Sequence, residues 1–224
     1  MKIGFVIADD NEYKPFLDFA LSQGGTTETR RNRDSVSFTY NNHELVAVKA
    51  GIGKVNAATT AAFLIADDKV DTILNFGLSG AISTHVRNDI VAGVSYTECD
   101  FDLTAIGYVL GKKPQDIYVY NADKSLFDAA MSIEGISQAV CGCGDIFLAD
   151  PVKKSLYKET FGITEFDMET GAVASVCHDA GIPFLAIRQI SDTADDAAVE
   201  SYRELNDKCE ITLTNVIIEL LKKI

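Results

Sequence analysis

Apolar residues fill positions 3–8 without a break and give way to Asp9-Asp10-Asn11, after which Phe16, Leu17, Ala20 and Leu21 recur at helical spacing to about Gln23. That pattern predicts a buried strand, a capped turn and an amphipathic helix. Positions 36–40 and 44–49 read as strands flanking Asn41-Asn42-His43, a hairpin turn in which Asn tolerates left-handed backbone. Gly51-Ile52-Gly53-Lys54 opens an Ala-rich helix over about 55–66, and 72–76 returns as a buried strand running into Gly77-Leu78-Ser79-Gly80. Further strands are predicted at 89–96, 136–140, 164–168 and 184–190, and helices at 123–131, 151–161, 171–180 and 198–222. Asp150 followed by Pro151 marks one helix start. The stretch 100–115, with Gly107, Gly111 and Pro114 and no clean period, reads as an excursion or an interface loop.

Strands alternating with helices, plus one early hairpin, predict an α/β fold: a three-layer α/β/α sandwich around a mixed, mostly parallel central sheet. In such folds ligands sit beyond the carboxyl ends of strands. Attention therefore falls on 8–12, 49–53, 75–80, 142–148, 168–169 and 190–195.

Composition narrows the chemistry. Of 224 residues, 47% are hydrophobic and 24% charged, the profile of a globular domain, and 20 Lys+Arg against 33 Asp+Glu leave a formal net charge of −13. Such a field repels phosphate backbones and anionic membranes, so no nucleic-acid or membrane partner is expected. The apolar stretch at 3–8 is too short for a secretory signal, which predicts a cytoplasmic protein. Five cysteines make no disulfide framework, and Cys141-Gly142-Cys143 lacks a second pair for zinc, so structural thiols are the expectation. His43, His85 and His178 stand alone, with neither a nucleophile elbow nor a zinc-protease motif nearby.

The glycine turn at 51–53 lacks the third glycine of a dinucleotide fingerprint, and Val48 and Val55 stand where a P-loop needs Gly and Ser or Thr. Such a turn serves close packing or brings backbone N–H groups to an oxygen-rich ligand, and the residues alone leave both open. Carboxylates at strand ends are more informative. Glu12, Glu169 and Asp192, with Arg188 inside the last strand, sit where desolvation raises carboxyl pKa toward the range useful for acid and base work. Caps and solvated loop acids are the alternative, and Asp192, Asp195 and Asp196 equally suit a helix cap or a loose divalent ion.

Taken together, Glu12 after the first strand, GIGKVNAA at 51–58, DLTAIGY at 102–108, GDIFL at 144–148, D-M-E-T-x-A at 167–172 and R-x-I-S-D-x-A-D at 188–195 resemble the 5′-methylthioadenosine/S-adenosylhomocysteine nucleosidases of the nucleoside phosphorylase-like superfamily. The resemblance spans the chain and implies a single domain over 1–224. It implies hydrolysis of the N-glycosidic bond of a 5′-substituted adenosine, releasing adenine, with no metal or organic cofactor. By resemblance, Asp192 acts as acid at purine N7, Glu12 activates water, Glu169 holds the ribose hydroxyls, Arg188 helps orient the water, and Ser191 positions Asp192. Phe147 would stack on the base, the Leu148 backbone would bond its edge, and Ile52 and Met168 would line the sugar and thioether, with the glycine turn ending at Gly80 beside them. Leu103, Ile106 and Tyr108, near Pro114, match a loop donated to the neighbouring subunit's pocket, which implies a homodimer.

Two positions depart from the pattern. Leu78 stands where the nucleosidases place a hydroxyl, and Asp9 stands where they commonly place Met beside the ribose. A phosphorylase is the nearest alternative, although Asn75 occupies the site of an arginine used by hexameric purine phosphorylases; Arg30, Arg31 and Arg33 are the spare cations. Asp9 also suits a futalosine-type nucleosidase with a polar 5′ pocket, and Leu78 suits a nucleoside sensor without turnover.

Overall fold

The computed structural model describes residues 1–114, 117–195, 198–208 and 212–224. In chain order they form β1 (Lys2–Ile7), α1 (Asp10–Ser22), β2 (Thr26–Arg30), β3 (Arg33–Tyr40), β4 (His43–Lys49), α2 (Lys54–Ala66), β5 (Thr72–Ala81) and β6 (Ile90–Glu98). A 3-10 turn (Thr104–Ile106), β7 (Val119–Asn121), α3 (Lys124–Met131), β8 (Ile136–Cys143), α4 (Pro151–Phe161), β9 (Glu165–Asp167), α5 (Thr170–Ala180), β10 (Phe184–Asp192), α6 (Ala198–Asn206) and α7 (Thr212–Leu221) follow. Among these residues no helix is long and apolar enough to cross a membrane.

All ten strands join one mixed sheet. β1 lies parallel between β4 and β5, and β3 and β2 extend that edge antiparallel. Beyond β5 the sheet closes: β5 pairs with both β10 and β9, and the path β10–β6–β8–β9 completes a ring. Within the ring β5/β10, β6/β8 and β8/β9 are parallel and β10/β6 and β5/β9 antiparallel, so half of all the pairings are parallel once β6/β7 is included. Register shifts at Gly93/Ser95 and Ile190/Asp192 bend the strands that close it. Gly93 is needed there, because a Cβ would lie 2.5 Å from the Tyr96 ring and 2.8 Å from the Cys141 sulfur.

The period-2 pattern of β1 explains the layers. Ile3, Phe5 and Ile7 pack with Phe16 and Ala20 of α1, Leu126 and Ala130 of α3, and Leu213, Ile217 and Leu220 of α7. Val6 faces the other way, in one cluster with Ala57, Ala61 and Leu64 of α2 and Val173, Ala174 and Cys177 of α5. Helices thus cover both faces, and a smaller cluster of Leu148, Tyr157, Ile163 and Phe166 lies under α4.

The expected helix starts and turns are present: Asp150 caps α4 with Pro151 in its first turn, and Asn41 and Asn42 take φ of 48° and 64°. Three expectations need correction. The long last helix is two, α6 ending at Asn206 and α7 starting at Thr212, with Asp207 and Lys208 in a turn and 209–211 outside the described residues. Asn206 and Asp207 favour local bonds over helix, and the two halves serve different neighbours, α6 packing on β10 and α7 on the β1 face. β2 carried no period because its side chains are almost all exposed on the sheet edge. β7, a three-residue strand on β6, was not expected and follows the excursion predicted over 100–115.

Candidate active site

The carboxyl ends of β1, β5, β8, β9 and β10 surround a cavity of about 340 Å³, lined by Ala8, Asp9, Glu12, Ile52, Leu78, Ser79, Gly80, Ile146, Phe147, Leu148, Phe166, Asp167, Met168, Glu169, Ser191, Asp192, Ala194 and Tyr202. Every sequence-derived site residue lines it except Arg188 and the Leu103, Ile106 and Tyr108 loop.

Glu12 is fixed by two elements at once. Asp9 caps α1, its Oδ1 accepting the Asn11 N–H at 2.8 Å, while Glu12 Oε2 accepts the Asp9 N–H at 3.2 Å. The other oxygen accepts the Leu78 N–H at 2.7 Å. Position 78 therefore contributes its backbone to the site, and a leucine side chain leaves that bond intact. Gly77 is required beside it, since a Cβ would lie 2.6 Å from Glu12 Oε1. Burial raises the Glu12 pKa, opposed by the Leu78 N–H and by the charge of Arg188.

Asp192 ends β10, nearly inaccessible to solvent. Its Oδ2 accepts the Ser191 hydroxyl at 2.7 Å and its Oδ1 the Ala194 N–H at 2.8 Å. Ala194 adopts φ 47°, a left-handed conformation uncommon for alanine, and so brings its N–H onto the carboxylate. Burial raises the Asp192 pKa and these two bonds moderate the rise. Gly80 leaves the carboxyl its space, because a Cβ there would lie 2.9 Å from Oδ1.

Glu169 precedes α5 and reaches back to the start of α2, accepting the Gly53 N–H at 2.8 Å. Its pKa is raised by burial and by the neighbouring Asp167 charge. Asp167 Oδ1 accepts the N–H groups of Glu169 and Thr170 at 2.7 and 2.8 Å, and Oδ2 meets Arg188 Nε at 3.3 Å. The Arg188 guanidinium also donates to Asn75 Oδ1 and to the Ile187 carbonyl. Arg188 is thus buried behind the wall and is absent from the cavity surface. Its reach to Glu12 and Glu169 is electrostatic.

The lining carboxylates are Asp9, Glu12, Asp167, Glu169 and Asp192, and no Lys, Arg or His accompanies them among the described residues. Lys54 is held by Asp100 at 2.7 Å and Glu98 at 3.1 Å. Arg30 and Arg31 pair with Asp68 and Asp67, each at 2.7 Å, and Arg33 donates to the Ala50 carbonyl at 3.2 Å. These cations all lie off the cavity. Phe147, half exposed, forms an apolar wall and meets the Tyr202 ring edge-on at 5.4 Å.

Leu103, Ile106 and Tyr108 sit in and around the 3-10 turn, away from the cavity, with Ile106 70% and Tyr108 39% exposed. Cys141 and Cys143 are buried free thiols whose pKa burial pushes up, which removes the thiolate character that reactivity or metal binding needs. Of the strand-end acids open to a capping role, Asp196 lies outside the described residues. Two lining residues that carry titratable groups were missed. Asp167 lay unassigned within the D-M-E-T run, and Tyr202 on α6 has no sequence signal that separates it from a helix-packing tyrosine.

Residues 2–223 match the family described as the phosphorylase superfamily. The chain belongs to that superfamily. A 5′-methylthioadenosine/S-adenosylhomocysteine nucleosidase of Bacillus cereus is 31% identical, with 100% of both chains covered, and places the chain in that branch of the superfamily. A Helicobacter pylori nucleosidase variant solved with 5′-methylthioadenosine in its active site superposes with a TM-score of 0.95 at 25% identity, covering 100% of this chain and 99% of that one. A Helicobacter pylori futalosine hydrolase variant, 24% identical with both chains fully covered, shares the fold at a TM-score of 0.94.

Proposed function

We propose that this chain is an N-glycosidase that hydrolyses a 5′-substituted adenosine, the class of 5′-methylthioadenosine and S-adenosylhomocysteine, releasing adenine. The observation that carries this reading is the sign of the cavity wall. Phosphorolysis brings a dianion to the anomeric carbon and needs cationic donors there, whereas five carboxylates and no basic side chain line this cavity. An ionised carboxylate at that wall also stabilises the positive charge that develops on the sugar as the glycosidic bond breaks.

In this reading Asp192 is the acid. Burial favours its protonated form, which donates to N7 of the purine as the C1′–N9 electron pair leaves with the base. Glu12 is the base: held by two backbone N–H groups, it accepts a proton from the water whose oxygen bonds to C1′. Glu169 takes the ribose hydroxyls. Arg188 is a positioning residue that neutralises Asp167, whose carboxylate anchors the start of α5 and with it Glu169. Ser191 orients Asp192, and Phe147 and the Leu148 backbone take the base. Ile52 and Met168 line the sugar.

The reading extends to one domain over 1–224 acting as a homodimer in the cytoplasm. The superfamily match across 2–223 supports the first. Exposure of Ile106 and Val109 to 70% and 65% on one loop, beside Tyr108, supports a partner surface there. Four buried free thiols among the described residues fit a reducing compartment. The test is adenine release from 5′-methylthioadenosine followed spectrophotometrically, in the wild type and Glu12→Gln. Release by the wild type and its loss in a folded variant are expected; a wild type that binds the nucleoside without releasing base overturns the reading in favour of a sensor.

A further inference from the structure

The glycosidic chemistry leaves one lining carboxylate and one lining phenol without a task. Asp9 stands at the cavity wall, its Oδ1 committed to the cap of α1 and its backbone N–H to Glu12. Tyr202 stands at the same wall, on α6. Its ring meets Phe147 edge-on at 5.4 Å, and Asp9, Glu12, Glu169 and Asp192 share the cavity with it. Burial and these carboxylates push its pKa up, which keeps the hydroxyl a neutral donor and acceptor. Covering a carboxylate and a phenol with an apolar group strips their hydration without a replacement, and a donor on the ligand removes that cost.

With Asp192 assigned to the purine and Glu12 and Glu169 to the ribose in the glycosidase reading, the 5′ substituent is the part of the nucleoside left for Asp9 and Tyr202 to meet. We propose that Asp9 and Tyr202 form a polar 5′ subsite that selects nucleosides whose 5′ substituent carries a hydrogen-bond donor, a hydroxyl or an ammonium, over those ending in a methylthio group. The inference rests on the glycosidase reading above. Asp9 supplies the negative acceptor, Tyr202 the neutral partner, and an anionic 5′ substituent meets repulsion from the same carboxylate.

The experiment measures kcat/KM for adenosine, 5′-amino-5′-deoxyadenosine and 5′-methylthioadenosine with the wild type, Asp9→Asn, Asp9→Met and Tyr202→Phe. Asn preserves the helix cap, so that variant isolates the charge. Ratios to 5′-methylthioadenosine cancel any common loss of catalysis. The amino ratio is expected to fall about tenfold in Asp9→Asn and further in Asp9→Met, and the hydroxyl ratio to fall severalfold in Tyr202→Phe. Ratios constant within about twofold across folded variants overturn the subsite. If the wild type releases base from none of the three, the glycosidase reading fails on its own. Calorimetric Kd values for the same nucleosides on the wild type and Asp9→Asn then decide the subsite: a tighter amino ligand that loses about tenfold in the variant upholds it, and equal ratios overturn it.

Discussion

Replacing Asp192 by Asn removes one transferable proton while leaving the surroundings almost unchanged. The carboxyl is buried, and both of its recorded bonds are ones it accepts: Oδ1 from the Ala194 N–H at 2.8 Å, Oδ2 from the Ser191 hydroxyl at 2.7 Å. In the amide, Oδ1 still accepts from Ala194. The Nδ2 group then faces Ser191 Oγ, which already has a second acceptor in the Ser79 carbonyl at 3.1 Å and so can accept from the new N–H. No buried group is orphaned, and Tm should stay within about 3 °C of the wild type, as for a cost of about 1 kcal/mol. Catalysis should suffer instead. Loss of a general acid costs roughly two to four orders of magnitude, which is about 3 to 5 kcal/mol of barrier. The assay is adenine release from 5′-methylthioadenosine under saturating substrate, with calorimetric unfolding on the same samples. A kcat within about threefold of wild type in a folded variant would refute Asp192 as the acid.

Arg188→Met leaves Asp167 as an uncompensated buried charge, so stability should fall by about 3–5 kcal/mol, roughly 10 °C in Tm; a fall under about 2 °C contradicts the pairing. Glu165 is fully buried, and burial with the Asp167 charge pushes its pKa up to about 8. A carboxyl raised in the folded state favours folding in its neutral form, and that contribution is lost as pH rises from the ordinary value of 4.5 to about 8. Glu165→Gln should therefore match wild type below about pH 4.5 and become more stable by a few kcal/mol by pH 8, and parallel Tm–pH curves would contradict this. Ile106→Asp should shift the assembly toward monomer in light scattering and lower activity, while an unchanged mass at every concentration counts against the loop as the dimer surface.

The elements most legible in the sequence were those whose packing shows in local periodicity. β1 alternates between two helical layers, α4 begins with Asp-Pro, and the Asn41-Asn42 turn carries its own backbone preference, so each was readable within a dozen residues. Ring closure was not. It depends on β5 pairing with strands over eighty residues away, and on register shifts at Gly93 and Ile190 that leave no periodic trace. β2 lacked any buried face to reveal it. In the site, Glu12, Glu169 and Asp192 were found because they close apolar strands, and the structure gathers them at one cavity. Arg188 was read as helping to orient the water, yet an arginine inside a fully buried strand needs its own counter-ion, and Asp167 supplies it from the cavity wall. Leu78 looked like a loss because only its side chain was considered, whereas the bond to Glu12 comes from its N–H. Tyr202 lines the cavity from within α6, where its place in an amphipathic pattern gave no sign of it.

The central claim is that an acidic wall selects water over phosphate. Base release from 5′-methylthioadenosine should be measured with and without added inorganic phosphate, with chromatography and phosphorus NMR identifying the sugar product. The account predicts the same rate in both and free methylthioribose as product. A rate that requires phosphate, with a sugar 1-phosphate accumulating in step with adenine, would contradict it.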